Sequence, residues 1–125
     1  MHVLLVDDND SVRAVIKRRL ERLGCQVTEA SDGDVALKVQ RDVMADVLLT
    51  DMVMPGKEGI ATVRDFRKEF PAMRIIGMSG GGVGEAGTYL RIALAMGANS
   101  VLAKPFSGED LAAALGLPPA SDSQT

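Results

Sequence analysis

The chain has 125 residues, 46 % of them hydrophobic and 25 % charged, with a net charge of −3. This is the length of one domain with a real core, and the acidic balance gives no basis for wholesale nucleic-acid binding. No apolar run approaches the roughly 20 residues needed to span a bilayer. The opening HVLLV is too short for a signal-peptide core, so the reading is a cytoplasmic protein without membrane contact.

Strand and helix patterns alternate along the chain. HVLLV, bounded by Asp7, reads as a buried strand. Val12, Val15, Ile16, Leu20 and Leu23 then recur at helical spacing until Gly24. Cys25, the only cysteine, allows no internal disulfide and reads as a small buried hydrophobe. A strand near Val27 follows, then a short helix around 35–39. DVLLT makes a third strand ending at Asp51, and MPGKEG a turn. Ile60, Val63, Phe66 and Phe70 mark a third helix stopped by Pro71, and residues 73–78 a fourth strand. SGGGVGEAG reads as a glycine-rich loop before a helix from about Thr88 to Met96. SVLA leads to Lys104 as a fifth strand. Ser107 and Asp110 have capping-box spacing for a last short helix. Residues 117–125 read as a disordered tail. Strict alternation predicts an α/β fold with a central parallel sheet over residues 1–116.

In an open parallel sheet, ligands bind beyond the carboxyl ends of the strands. Asp7 and Asp8, Asp51, and Lys104 all follow predicted strands. That gathers three carboxylates and one ammonium around one crevice. Clustered carboxylates repel unless a cation joins them, and a hard divalent ion such as Mg²⁺ prefers oxygen ligands. The run Asp7-Asp8-Asn9-Asp10 also suits a helix N-terminus, where such residues cap and complement the dipole. Three acids in four residues exceed that need. His2, the only histidine, falls at the opposite end of the first strand and receives no catalytic role.

The motifs LLVDDND, LLTDMVMPGKEG, IIGMSG and GANSVLAKPF, in this order and spacing, resemble the receiver domain of two-component response regulators. The resemblance covers essentially residues 1–116. It implies a flavodoxin-like (βα)5 doubly wound sheet of strand order 2-1-3-4-5. It also implies that Asp51 is the phosphoacceptor, that Ser79 is a switch hydroxyl, and that Lys104 contacts the phosphoryl oxygens through a cis Lys104–Pro105 peptide. Asp7, Asp8 and Asp51 would hold Mg²⁺ together with the backbone carbonyl of Val53. The implied partners are a sensor histidine kinase or histidine phosphotransfer protein as donor and a downstream protein target, with no direct DNA contact. The chain would then be a signalling switch rather than an enzyme. It would be either a stand-alone receiver or one cut from a longer regulator with a separate output domain.

Two positions depart from the family pattern. Val101 stands where the family commonly has a Tyr or Phe switch. The loop after Ser79 is unusually rich in glycine, either as a plain connection or as the moving part across residues 80–88. The first helix carries Arg13, Lys17, Arg18, Arg19 and Arg22 against Glu21 alone; it reads as a solvated face or as a docking face for the phosphodonor. Two other families share fragments of the pattern. A haloacid dehalogenase-type phosphohydrolase wants a second acid two residues after the nucleophile, where Val53 stands. A flavodoxin wants hydroxyls and glycines after the first strand, where the acidic run would repel a phosphate. A phosphorylation-independent scaffold would not need the acceptor, acidic pair, hydroxyl and lysine together.

Overall fold

Strands and helices alternate five times: β1 His2–Val6, α1 Asp10–Arg22, β2 Gln26–Ala30, α2 Gly33–Val43, β3 Val47–Asp51, α3 Gly59–Glu69, β4 Arg74–Ser79, α4 Ala86–Met96, β5 Ser100–Ala103 and α5 Gly108–Leu115. The structure, a computed structural model, describes residues 1–52, 59–80 and 86–118, with the backbone alone at 86–90. Val53, most of the 54–59 turn, Gly81, Gly82, Gly84 and residues 119–125 of the expected tail lie outside the described residues.

All strand pairs are parallel, and the sheet order is β2-β1-β3-β4-β5. The expected flavodoxin-like topology is therefore present. Alternate residues of the strands point to opposite faces, which makes two cores. Leu4, Val6, Leu48 and Ile75 pack with Ala36 of α2, Val63 and Phe66 of α3 and Ala93 of α4. Val3, Leu5, Val47, Leu49, Ile76 and Met78 pack with Ile16 and Leu20 of α1 and Leu111 and Leu115 of α5. Covered on both faces, β3 is buried at all five positions, which is why it reads as a continuous apolar run. No described helix is long and apolar enough to cross a membrane.

Several boundaries differ from the sequence reading. Helix α2 is longer than expected, running from the cap Asp32, whose side chain accepts from the Val35 N–H, to Met44 in the left-handed region. Helix α4 begins at Ala86, so Gly87 belongs to its first turn rather than to the loop. Gly97 ends α4 with φ +116°, and a Cβ there would lie 2.6 Å from the Arg67 side chain. The capping box at Ser107 and Asp110 forms as predicted. Leu117, expected at the head of the tail, donates its N–H to the Ala112 carbonyl and packs against the second core.

Candidate functional site

Where β1 and β3 end side by side, two chain ends bring acids together. Asp7 follows β1 directly. Its N–H donates to the Ala30 carbonyl at the end of β2, which extends the ladder by one residue. Its side chain is 0 % exposed. The Oδ1 atom accepts from the Asn9 N–H at 2.9 Å, and Oδ2 accepts from the Lys104 ammonium at 2.9 Å. Asp8, one residue on, is exposed.

The helix cap itself belongs to Asn9, whose side chain accepts from the Val12 N–H at 3.0 Å. Asp10 occupies the first turn and meets the dipole preference. Capping thus uses Asn9 and Asp10 and leaves the carboxylates of Asp7 and Asp8 for the crevice.

Asp51 closes β3 and is 7 % exposed. Past it, the Met52 N–H still donates to the Met78 carbonyl at 2.8 Å, so the acidic residue rests on intact sheet. Helix α3 starts hard against this point. A Cβ on Gly59 would lie 2.2 Å from the Asp51 carbonyl oxygen, so glycine is what lets the two elements approach. Oxygens of Asp7, Asp8 and Asp51 all lie within 4.8 Å of one another.

Lys104 enters from the far side of β4. Its N–H donates to the Ser79 carbonyl at 2.8 Å, and the Lys104–Pro105 peptide is cis. The ammonium sits 2.9 Å from Asp7 Oδ2 and 3.3 Å from Asp51 Oδ2. Ser79, 2 % exposed, ends β4 next to Met78, the register partner of Asp51. Four of the residues singled out from the sequence (Asp7, Asp8, Asp51 and Lys104) therefore meet in one crevice, with Ser79 on the neighbouring strand end. Val53 lies outside the described residues. Val101 pairs with Gly77 and packs against the first core, without a hydroxyl or ring to offer the crevice.

The donor set is all hard oxygen. With the carboxylates ionised, three negative charges face one ammonium, leaving two negative charges among these four groups. A divalent cation with a preference for oxygen matches both the charge and the ligand type. The residues present fit Mg²⁺.

Arg13 was visible in the sequence only as part of a basic face. Its NH1 donates to the Asp7 carbonyl, its NH2 to Asp10 at 2.7 Å and its Nε to Glu29 of β2 at 3.2 Å. Partial burial works against this charge, and the bonds to Asp10 and Glu29 outweigh it, holding the guanidinium above its ordinary value. A cation in the first turn of a helix opposes the dipole, and that mismatch was the available signal that Arg13 has specific partners. The rest of the face is also partly engaged. Lys17 pairs with Glu29 at 3.4 Å, and Arg19 donates to the Phe106 carbonyl at 2.7 Å. A groove of about 540 Å³ lies beside it, lined by Val12, Val15, Ile16, Lys104, Pro105 and Phe106 among others.

Residues 3–116 match the family model described as the response regulator receiver domain. The chain is 35 % identical over 111 residues to a probable transcriptional regulator, ycf27, of Guillardia theta, covering 89 % of this chain and 42 % of that protein. It is 37 % identical over 114 residues to the transcription factor SKN7 of Saccharomyces cerevisiae, covering 88 % of this chain and 17 % of that protein. The chain thus spans less than half the length of these curated relatives. Among solved structures, it resembles a response regulator receiver domain protein of Clostridium thermocellum, with TM-score 0.84 and 31 % identity over 92 % of this chain and 90 % of that one. It also resembles the chemotaxis response regulator CheY4 of Vibrio cholerae, with TM-score 0.78 and 30 % identity over 92 % and 95 %.

Proposed function

The chain belongs to the response regulator receiver domain family of two-component signalling, and from that premise we propose that it is switched by phosphorylation of Asp51, with Mg²⁺, by a sensor histidine kinase or histidine phosphotransfer protein. The observation that carries this reading is the placement of Lys104 between Asp7 and Asp51, with Asp8 beside them.

In the proposed step an Asp51 carboxylate oxygen attacks phosphorus. An O–P bond forms, the P–N bond to the donor histidine breaks, and the nitrogen keeps the electron pair. A carboxylate is ionised at neutral pH, so the attack requires no general base. What the step needs is alignment and charge neutralisation. Lys104 meets the second need as a point charge within reach of the acceptor. Its cross-sheet tie to Asp7 holds it there before any phosphoryl group arrives. Ser79, on the adjacent strand end, supplies a hydroxyl donor. Asp7, Asp8 and Asp51 would hold Mg²⁺, with the Val53 carbonyl as a further ligand; the ion would neutralise phosphoryl charge.

On this reading the chain is a phosphoacceptor that assists its own phosphorylation and dephosphorylation, not an enzyme acting on a separate substrate. Its output is a changed protein-binding surface, and residues 1–125 make no direct contact with DNA. That ycf27 and SKN7 are transcriptional regulators of greater length supports a second arrangement, in which this receiver controls an output domain in the same polypeptide. A cytoplasmic setting follows from the proposed donor.

Intact-mass measurement with acetyl phosphate or phosphoramidate and Mg²⁺ tests the acceptor. The protein gains the mass of one phosphoryl group, and Asp51→Asn gains none. Equal labelling of the variant overturns the assignment.

A further inference from the structure

We infer that Arg13 is a positioning residue for divalent-cation binding, acting through the peptide that joins Asp7 to Asp8. The inference rests on the Mg²⁺ reading of Asp7, Asp8 and Asp51.

The Asp7 backbone is gripped at both polar atoms. Its N–H donates to the Ala30 carbonyl at 3.3 Å. Its carbonyl accepts from Arg13 NH1. That carbonyl belongs to the peptide unit from which Asp8 departs, and a peptide unit is planar. Holding the carbonyl therefore fixes the direction in which the Asp8 chain leaves. The two neighbours need opposite settings. Asp7 is fully buried and tied to Lys104, while Asp8 is exposed and still within the 4.8 Å cluster. A freely rotating peptide would not hold both.

Arg13 is itself held. Asp10 lies 2.7 Å away one turn back on α1, and Glu29 on β2 lies 3.2 Å away. Its planar fork serves the three acceptors from three separate nitrogens held in one rigid plane, whereas an ammonium would have to reach all three from a single nitrogen. The alternative role is electrostatic. A cation beside a cation site lowers affinity by repulsion. Two carboxylates flank this guanidinium, so its field toward the crevice is largely offset. Placement then outweighs repulsion.

The two roles predict opposite signs. Mg²⁺ affinity is measured by calorimetry on wild type, Arg13→Met, Arg13→Lys and Lys17→Met, with melting temperature recorded for each. Arg13→Met weakens Mg²⁺ binding by about tenfold, the range typical of groups that orient metal ligands. Arg13→Lys restores the charge but recovers less than half of the loss on a logarithmic scale. Lys17→Met removes the other cation on Glu29 without touching the Asp7 carbonyl, and leaves affinity within about twofold of wild type. Amide shifts of Asp8 and Asn9 move in the metal-free Arg13→Met protein. Tighter binding in Arg13→Met, full recovery in Arg13→Lys, or an equal loss in Lys17→Met overturns the inference. If Arg13→Met does not fold, the Arg13→Lys and Lys17→Met comparison decides alone. Wild type that binds no Mg²⁺ defeats the underlying reading as well, whereas normal binding in both Arg13 variants defeats only the positioning role.

Discussion

The ammonium of Lys104 lies 2.9 Å from Asp7 Oδ2, joining residues 97 apart in sequence and on strands separated by two others. The same nitrogen lies 3.3 Å from Asp51. One cation thus spans the acidic crevice from β5 to β1 and holds the site together before any metal or phosphoryl group arrives.

Removing that cation should leave the buried Asp7 carboxylate without its charge partner. Lys104→Met is expected to cost about 1–3 kcal/mol of stability in metal-free buffer, the range for a buried polar group deprived of its partner. Adding Mg²⁺ should recover part of the loss. Chemical denaturation with and without Mg²⁺ checks this. An unchanged midpoint in metal-free buffer would mean the Lys104–Asp7 contact contributes nothing.

Asp7 and Asp8 are adjacent, yet their variants should behave oppositely. Asp8→Ala removes an exposed like charge from the cluster, so metal-free stability rises slightly while Mg²⁺ affinity drops on the order of tenfold. Asp7→Ala strips the Asn9 N–H and Lys104 of their common acceptor and should lower stability. Thermal melts paired with calorimetric titration separate the two. Unchanged Mg²⁺ affinity in Asp8→Ala would remove Asp8 from the ligand set.

Burial pushes the Cys25 thiol above its ordinary value of 9.0, with the N-terminal ammonium opposing weakly. The folded state therefore favours the neutral thiol. Its contribution is complete below the unfolded thiol pKa and is lost as pH rises through the folded one. Stability of the wild type should fall more steeply than that of Cys25→Ala above about pH 9. Native-state alkylation should be slow and should accelerate on denaturation. Parallel pH curves for the two proteins would contradict this.

Met44 ends α2 at φ 51°, a left-handed conformation that costs a side-chain-bearing residue roughly 1 kcal/mol. Its side chain is 65 % exposed, so little packing is lost with it. Met44→Gly should raise stability by about 0.5–1 kcal/mol. A destabilised variant would show that the Met44 side chain contributes more to packing than its exposure implies.

Strands β1, β3 and β4 and the crevice acids were legible in the sequence because burial on both faces of a parallel sheet writes itself as near-continuous aliphatic runs. HVLLV, DVLLT and SVLA each end one residue from a charge, and strand ends in such sheets face a common edge. The N-terminal end of helix α2 was not legible because Gly33 is a poor helix residue. It is accommodated by tight packing, since a Cβ there would lie 2.0 Å from Thr62 Oγ1 on α3. Nothing local reports that contact. Likewise, periodicity could not reveal that Asp7 turns inward while Asp8 stays exposed, that Lys104 reaches past β4 to Asp7, or that Arg13 grips the Asp7 carbonyl. A hydrophobic pattern records how deeply each residue is buried. Which groups then touch depends on strand order, register and the direction of each turn, and those are settled only when the chain closes on itself.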